Sequence, residues 1–101
     1  MPFVKVAAAA GIEADSVTEV LVGDTPYAIC NVGGKITALN GTCPHNGGPL
    51  GQGAINGPNV VCPWHAWEFD ALTGACIHMD GTALRRYAVE LRGGEIWVEI
   101  D

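Results

Sequence analysis

An all-β, antiparallel fold carrying one inserted, loop-rich segment is what this sequence of 101 residues predicts. Three observations carry that prediction. Val, Ile, Tyr, Phe and Trp recur in short runs broken by Gly, Asn and Asp, the distribution of pleated, half-buried strands. No stretch keeps a 3.6-residue apolar period over ten or more positions, so no long helix is expected. Residues 41–83 concentrate eight of the fourteen glycines and four of the six prolines, the composition of a chain that turns often. A chain of this length is expected to be one domain, burying roughly 60 to 70% of its unfolded surface.

The first strand is expected at Phe3 to Ala8, followed by the loop GIEADS. The pattern VTEVLVGDTPYAICNVGGKITALN then predicts three antiparallel strands near 18–22, 26–31 and 35–39, with GDT and GG at the hairpin turns. Within 41–83 only brief strand-like pieces, NVVC and AWEF, are expected. A closing hairpin pairs YAVEL with EIWVEI across Arg92, Gly93 and Gly94, and the two chain ends should form one sheet system. Residues 1–40 and 84–101 would thus be a basal β core, and 41–83 an inserted subdomain.

Five basic against eleven acidic residues give a formal charge of -6, which argues against nucleic acid and anionic membranes as partners. A basic protein surface suits it better. The segment from Asn40 to Trp67 holds no Asp, Glu, Lys or Arg. The N-terminal MPFVKVAAAAGI has no basic leader and is interrupted by Lys5, so it reads as a strand rather than a secretory signal. No run reaches the roughly 18 apolar residues of a membrane span. A cytoplasmic monomer is expected, in which four cysteines point to metal or redox chemistry before disulfides.

The only self-similarity is Cys43-Pro44-His45 against Cys62-Pro63-Trp64-His65. Each loop offers one thiolate and one imidazole, stiffened by a proline directly after the cysteine. A zinc finger pairs its cysteines on one turn and its histidines on a helix. Here each loop mixes the two types, as a two-iron centre requires when one iron takes both thiolates and the other both imidazoles. A mononuclear zinc module for protein interaction is the alternative of another class.

These loops resemble the cluster-binding loops of the Rieske ferredoxin family, whose motif is C-x-H and C-x-x-H separated by fifteen to seventeen residues. Here sixteen residues intervene, and CPHNGGPLGQG and CPWHAWEFDALTG are similar throughout. The resemblance implies an antiparallel β-sandwich of three small sheets and one Rieske [2Fe-2S] cluster per chain. Cys43 and Cys62 would bind the inner iron, and His45 and His65 the outer iron near the surface. Gly47, Gly48, Gly51 and Gly53 are expected to let backbone N–H groups approach the sulfurs.

The resemblance also implies a one-electron carrier with no substrate pocket of its own, not an enzyme. It would run from a flavin-dependent reductase to a terminal oxygenase or, alternatively, serve as the small subunit of an assimilatory nitrite reductase beside its large subunit. High-potential members carry a disulfide and two sulfur-bonding hydroxyls. Gly48 and Trp64 stand at the disulfide positions, Trp67 at the serine and Phe69 at the tyrosine. Without those donors the potential should lie low, roughly -150 mV. Pro44, Pro49, Leu50, Pro63 and Trp64 are expected to form an apolar docking collar, with Glu68, Asp70 and Asp80 steering a basic partner. Trp67 and Phe69 should anchor the cluster loops on the core. No proline follows DALTGAC, where many members have a covering loop, and Met79 is a candidate to pack there instead. Cys30 and Cys76 read as buried small hydrophobes, His78 as a surface residue, Trp97 as core and Arg85-Arg86 as a solvated pair at a strand edge.

Overall fold

Alternating apolar and polar side chains fold into ten short strands in the computed structural model, which describes residues 2–44, 47–64, 66–78 and 81–100. In chain order these are β1 Phe3–Ala8, β2 Ser16–Val22, β3 Thr25–Val32, β4 Lys35–Asn40, β5 Ala54–Asn56, β6 Asn59–Val61, β7 Glu68–Asp70, β8 Arg86–Tyr87, β9 Val89–Arg92 and β10 Glu95–Glu99. They form three antiparallel sheets ordered β1-β10-β9, β2-β3-β4-β8 and β5-β6-β7. The first strand and the β2-β3-β4 meander fall where the sequence places them; β5 was not foreseen. Glycine pairs 33–34 and 93–94, all at positive φ, make the two tight turns after β3 and β9.

The four-stranded sheet is the middle layer, and β3 shows why. Residues Tyr27 to Asn31 are all buried, so its side chains, pointing alternately to opposite faces, serve two cores. Tyr27 and Ile29 pack with Ile12, Ala38, Ile96 and Val98. Ala28 and Cys30 pack with Leu39, Leu50, Val60 and Phe69. Each fully buried aliphatic or aromatic side chain contributes about 1.5–3 kcal/mol of transfer free energy.

The chain ends do meet in one sheet, β1-β10-β9, but the expected closing strand YAVEL does not lie wholly within it. YAVEL is divided at Ala88: Tyr87 pairs with Ala38 in the four-stranded sheet, while Val89 pairs with Val98 in the β1-β10-β9 sheet. Packed sheets lie about 10 Å apart, too far for one straight strand to serve both, so the chain must leave one layer to join the other. Trp97 also departs from expectation. On β10 its neighbours Ile96 and Val98 face the core, and Trp97 lies on the opposite face under the Arg92 guanidinium, 4.7 Å from the ring centroid. Its indole N–H is buried without a hydrogen-bond partner.

Two hydrogen bonds tie the chain after β7 to the middle sheet. The Thr37 hydroxyl donates to the Ala71 carbonyl at 2.6 Å, and Arg86 Nη1 donates to the Leu72 carbonyl at 2.8 Å. Among the described residues, no helix is long and apolar enough to cross a membrane.

Candidate metal centre

The two Cys-Pro loops are built alike. An antiparallel bridge between Thr42 and Pro49 opens into residues 43–48, and the last β6-β7 pair, Val61 and Glu68, opens into residues 62–67. Each loop is closed by the same bond from the N–H of its cysteine to the carbonyl five residues on: Cys43 to Gly48 at 2.9 Å and Cys62 to Trp67 at 2.8 Å. A further bond, Gly47 N–H to Cys43 carbonyl at 2.8 Å, tightens the first loop. The cysteines therefore occupy equivalent positions, one just past the end of each ladder.

Both thiols point into the same buried cluster, and each residue is 1% exposed. They share a hydrogen bond. Burial pushes the Cys62 thiol above its ordinary pKa, the N–H of Trp64, which donates to the Cys62 sulfur, pulls it back, and the Cys43 sulfur beside it pushes it further up. So placed, the Cys62 thiol resists becoming a thiolate on its own. A bound cation that takes the place of both protons removes that cost, which is how thiolate metal sites form. None of the four cysteines is in a disulfide.

Among the described residues no set of three or more metal-ligating side chains converges; the predicted ligands His45 and His65 lie outside those residues, as do Met79 and Asp80. The donor set present, two facing soft thiols closed off from water, fits the sulfur-ligated side of an iron–sulfur cluster.

Several expectations change. Leu50 is fully buried in the core cluster rather than part of an exposed collar, because its loop turns inward to hydrogen-bond Gly41. Gly51 and Gly53 are small for packing. A Cβ on Gly51 would lie 2.6 Å from the Glu19 Cα on β2, and one on Gly53 would lie 1.9 Å from the Val61 carbonyl oxygen. The N–H groups of Gly47 and Gly53 are taken by carbonyls, Cys43 and Leu50 respectively. Gly48 is buried. The Glu68 carboxylate accepts from Asn56 and Asn59, and that of Asp70 accepts from Leu72 and Thr73, so both have local structural partners.

Pro44, Pro63 and Trp64 are exposed, Trp64 to 51%, and Pro49 is partly so. Ile77, not singled out in the sequence, is 52% exposed: its N–H donates to the Glu68 carbonyl, and the next ring, His78, lies 6.3 Å from Trp67. Its signal was the alternation with buried Cys76. Phe69 is fully buried and Trp67 packs against the same cluster, as anchors should; Cys30 is buried and Cys76 nearly so.

The Rieske [2Fe-2S] domain family model matches residues 2–88. The chain is 32% identical over 98 residues to the ferredoxin CarAc of Metapseudomonas resinovorans, covering 95% of this chain and 92% of that protein. It is 33% identical over 75 residues to the 3-phenylpropionate/cinnamic acid dioxygenase ferredoxin subunit of Escherichia coli, covering 72% and 71%. Among solved structures, the complex of reduced oxygenase and oxidized ferredoxin in carbazole 1,9a-dioxygenase superposes with a TM-score of 0.84 at 30% identity, covering 95% of this chain and 91% of that one. A candidate nitrite reductase small subunit from Mycobacterium tuberculosis, at 18% identity and a TM-score of 0.85 over 96% and 93%, shares the fold.

Proposed function

The chain belongs to the Rieske [2Fe-2S] domain family, and from that premise we propose that it is a one-electron carrier feeding a terminal oxygenase. Two like-built loops presenting a pair of buried, facing thiols carry this reading, and relatives named as ferredoxins over nearly the whole chain support it. Cys43 and Cys62 would hold one iron of the cluster, and His45 and His65 the other. Residues 41–83 are the cluster-binding part and 1–40 with 84–101 the basal β core. When bound, the cluster supplies a one-electron couple.

The protein's own residues set the terms of that couple. Desolvated thiols and the Trp64 N–H on the Cys62 sulfur fix the sulfur side. Positions 67 and 69 are Trp and Phe, so no hydroxyl from either stabilises added negative charge, and the midpoint falls low in the Rieske range, roughly -150 mV. Pro44, Pro63, Trp64 and Ile77 form an exposed apolar rim beside the cluster loops, suited to docking an oxygenase and, in turn, a flavin-dependent reductase. The carrier acts as a cytoplasmic monomer. A nitrite reductase small subunit remains the second reading and rests on likeness of fold alone.

A redox titration of purified protein, followed in the visible spectrum and by electron paramagnetic resonance, tests this. One electron per chain near -150 mV is expected; a midpoint well above zero contradicts the low-potential assignment.

A further inference from the structure

Only five basic side chains serve this acidic chain. Lys5 pairs with Glu95 at 2.7 Å and Arg92 with Glu90 at 2.8 Å, while Arg85 lies over the Tyr87 ring at 5.1 Å. Lys35 and Arg86 make no ion pair among the described residues. Both line the same groove, of about 370 Å³, where the middle sheet meets the chain after β7.

β8 pairs with β4 only at Ala38 and Leu39, so the start of β4 faces the strand switch around Ala88 across a gap rather than a ladder. Ile36, Leu72 and Val89 give it apolar walls. The Arg86 guanidinium is held by one N–H on the Leu72 carbonyl at 2.8 Å, which orients the rest of its donor fork without using it up. Asp15 accepts from Gly33 N–H and Asp70 from Leu72 and Thr73 N–H, and among the described residues neither carboxylate pairs with Lys35 or Arg86.

We propose that this groove binds a small amphipathic carboxylate, its head between Lys35 and Arg86 and its apolar body against Ile36, Leu72 and Val89. A planar fork beside a mobile ammonium matches a carboxylate. The volume lies in the range of small-ligand sites, which combine apolar walls with a few convergent polar groups. A bare inorganic anion would leave the apolar walls unused. Among the described residues, none of 43–48 or 62–67 lines the groove, so occupancy does not depend on the carrier reading.

Titrating ¹⁵N-labelled holoprotein with benzoate, and following amide resonances, tests the proposal. Saturable shifts centred on 35–37, 72 and 86–89 are expected. Inorganic phosphate, which lacks the body, and benzyl alcohol, which lacks the charge, should each bind at least about tenfold more weakly. Lys35→Glu, at the exposed start of β4, should weaken benzoate by a similar factor while leaving the visible spectrum unchanged, and Leu72→Ser should weaken it without affecting phosphate. Absence of saturable shifts, unchanged affinity in Lys35→Glu, or phosphate binding as tightly as benzoate would overturn it.

Discussion

The two cores on either side of the middle sheet are made differently. The core against β1-β10-β9 is filled by Ile12, Tyr27, Ile29, Ala38, Tyr87, Ile96 and Val98, nearly all delivered by regular strands joined through tight turns. The core on the other side holds all four cysteines beside Leu39, Leu50, Val60 and Phe69, and much of it comes from loops held by single backbone bonds. One core needs only hydrophobic burial. The other places the Cys62 thiol where burial penalises its ionisation, and so is completed by what binds it.

Separate injuries should divide stability from metal content. Ile96→Ala removes a fully buried side chain from the strand-built core and should cost about 3 kcal/mol, within the usual range for such truncations. Thermal or urea unfolding should register that loss, while iron per folded chain stays at the wild-type level. Gly53→Ala strikes the loop-built side. Its Cβ would meet the Val61 carbonyl oxygen at 1.9 Å, forcing backbone apart one residue before Cys62. We expect about 2 kcal/mol lost, as for overpacked sites, together with a larger fall in iron content than Ile96→Ala causes. Equal iron content in the two variants would erase the distinction.

A smaller effect follows from Cys30, whose thiol burial pushes from the ordinary value of 9.0 up to about 11, against a weaker opposing bond from Thr37. The folded protein therefore holds this proton more tightly than the unfolded chain. Its contribution to stability is complete below pH 9 and declines as pH rises through about 11. Denaturation at stepped alkaline pH should show a loss on the order of 1–2 kcal/mol. Cys30→Ala should flatten that slope; an equally steep decline in the variant would assign it to other groups.

Legibility in the sequence followed the same division. Regular alternation and glycine pairs located β1, the β2-β3-β4 meander and the closing turn, because burial of one strand face imposes a period of two. Family membership supports the cofactor that the mixed Cys/His loops suggested. The loops themselves were less readable. Leu50 looks the same in sequence whether it rims a surface or fills a core, since an irregular backbone imposes no period. Gly51 and Gly53 are small because backbone lies against them, and that neighbour is distant in the chain. The switch at Ala88 was hidden for a related reason: YAVEL alternates smoothly across it, and only the pairing partners differ.

Four buried thiols share one core cluster, and only two sit at the closed loops. Replacing each cysteine in turn by alanine, and measuring iron, acid-labile sulfide and visible absorption, is the most direct test. Two irons and two sulfides per chain should survive in Cys30→Ala and Cys76→Ala and vanish in Cys43→Ala and Cys62→Ala. Retention of the absorption bands in either of the last two would contradict the assignment.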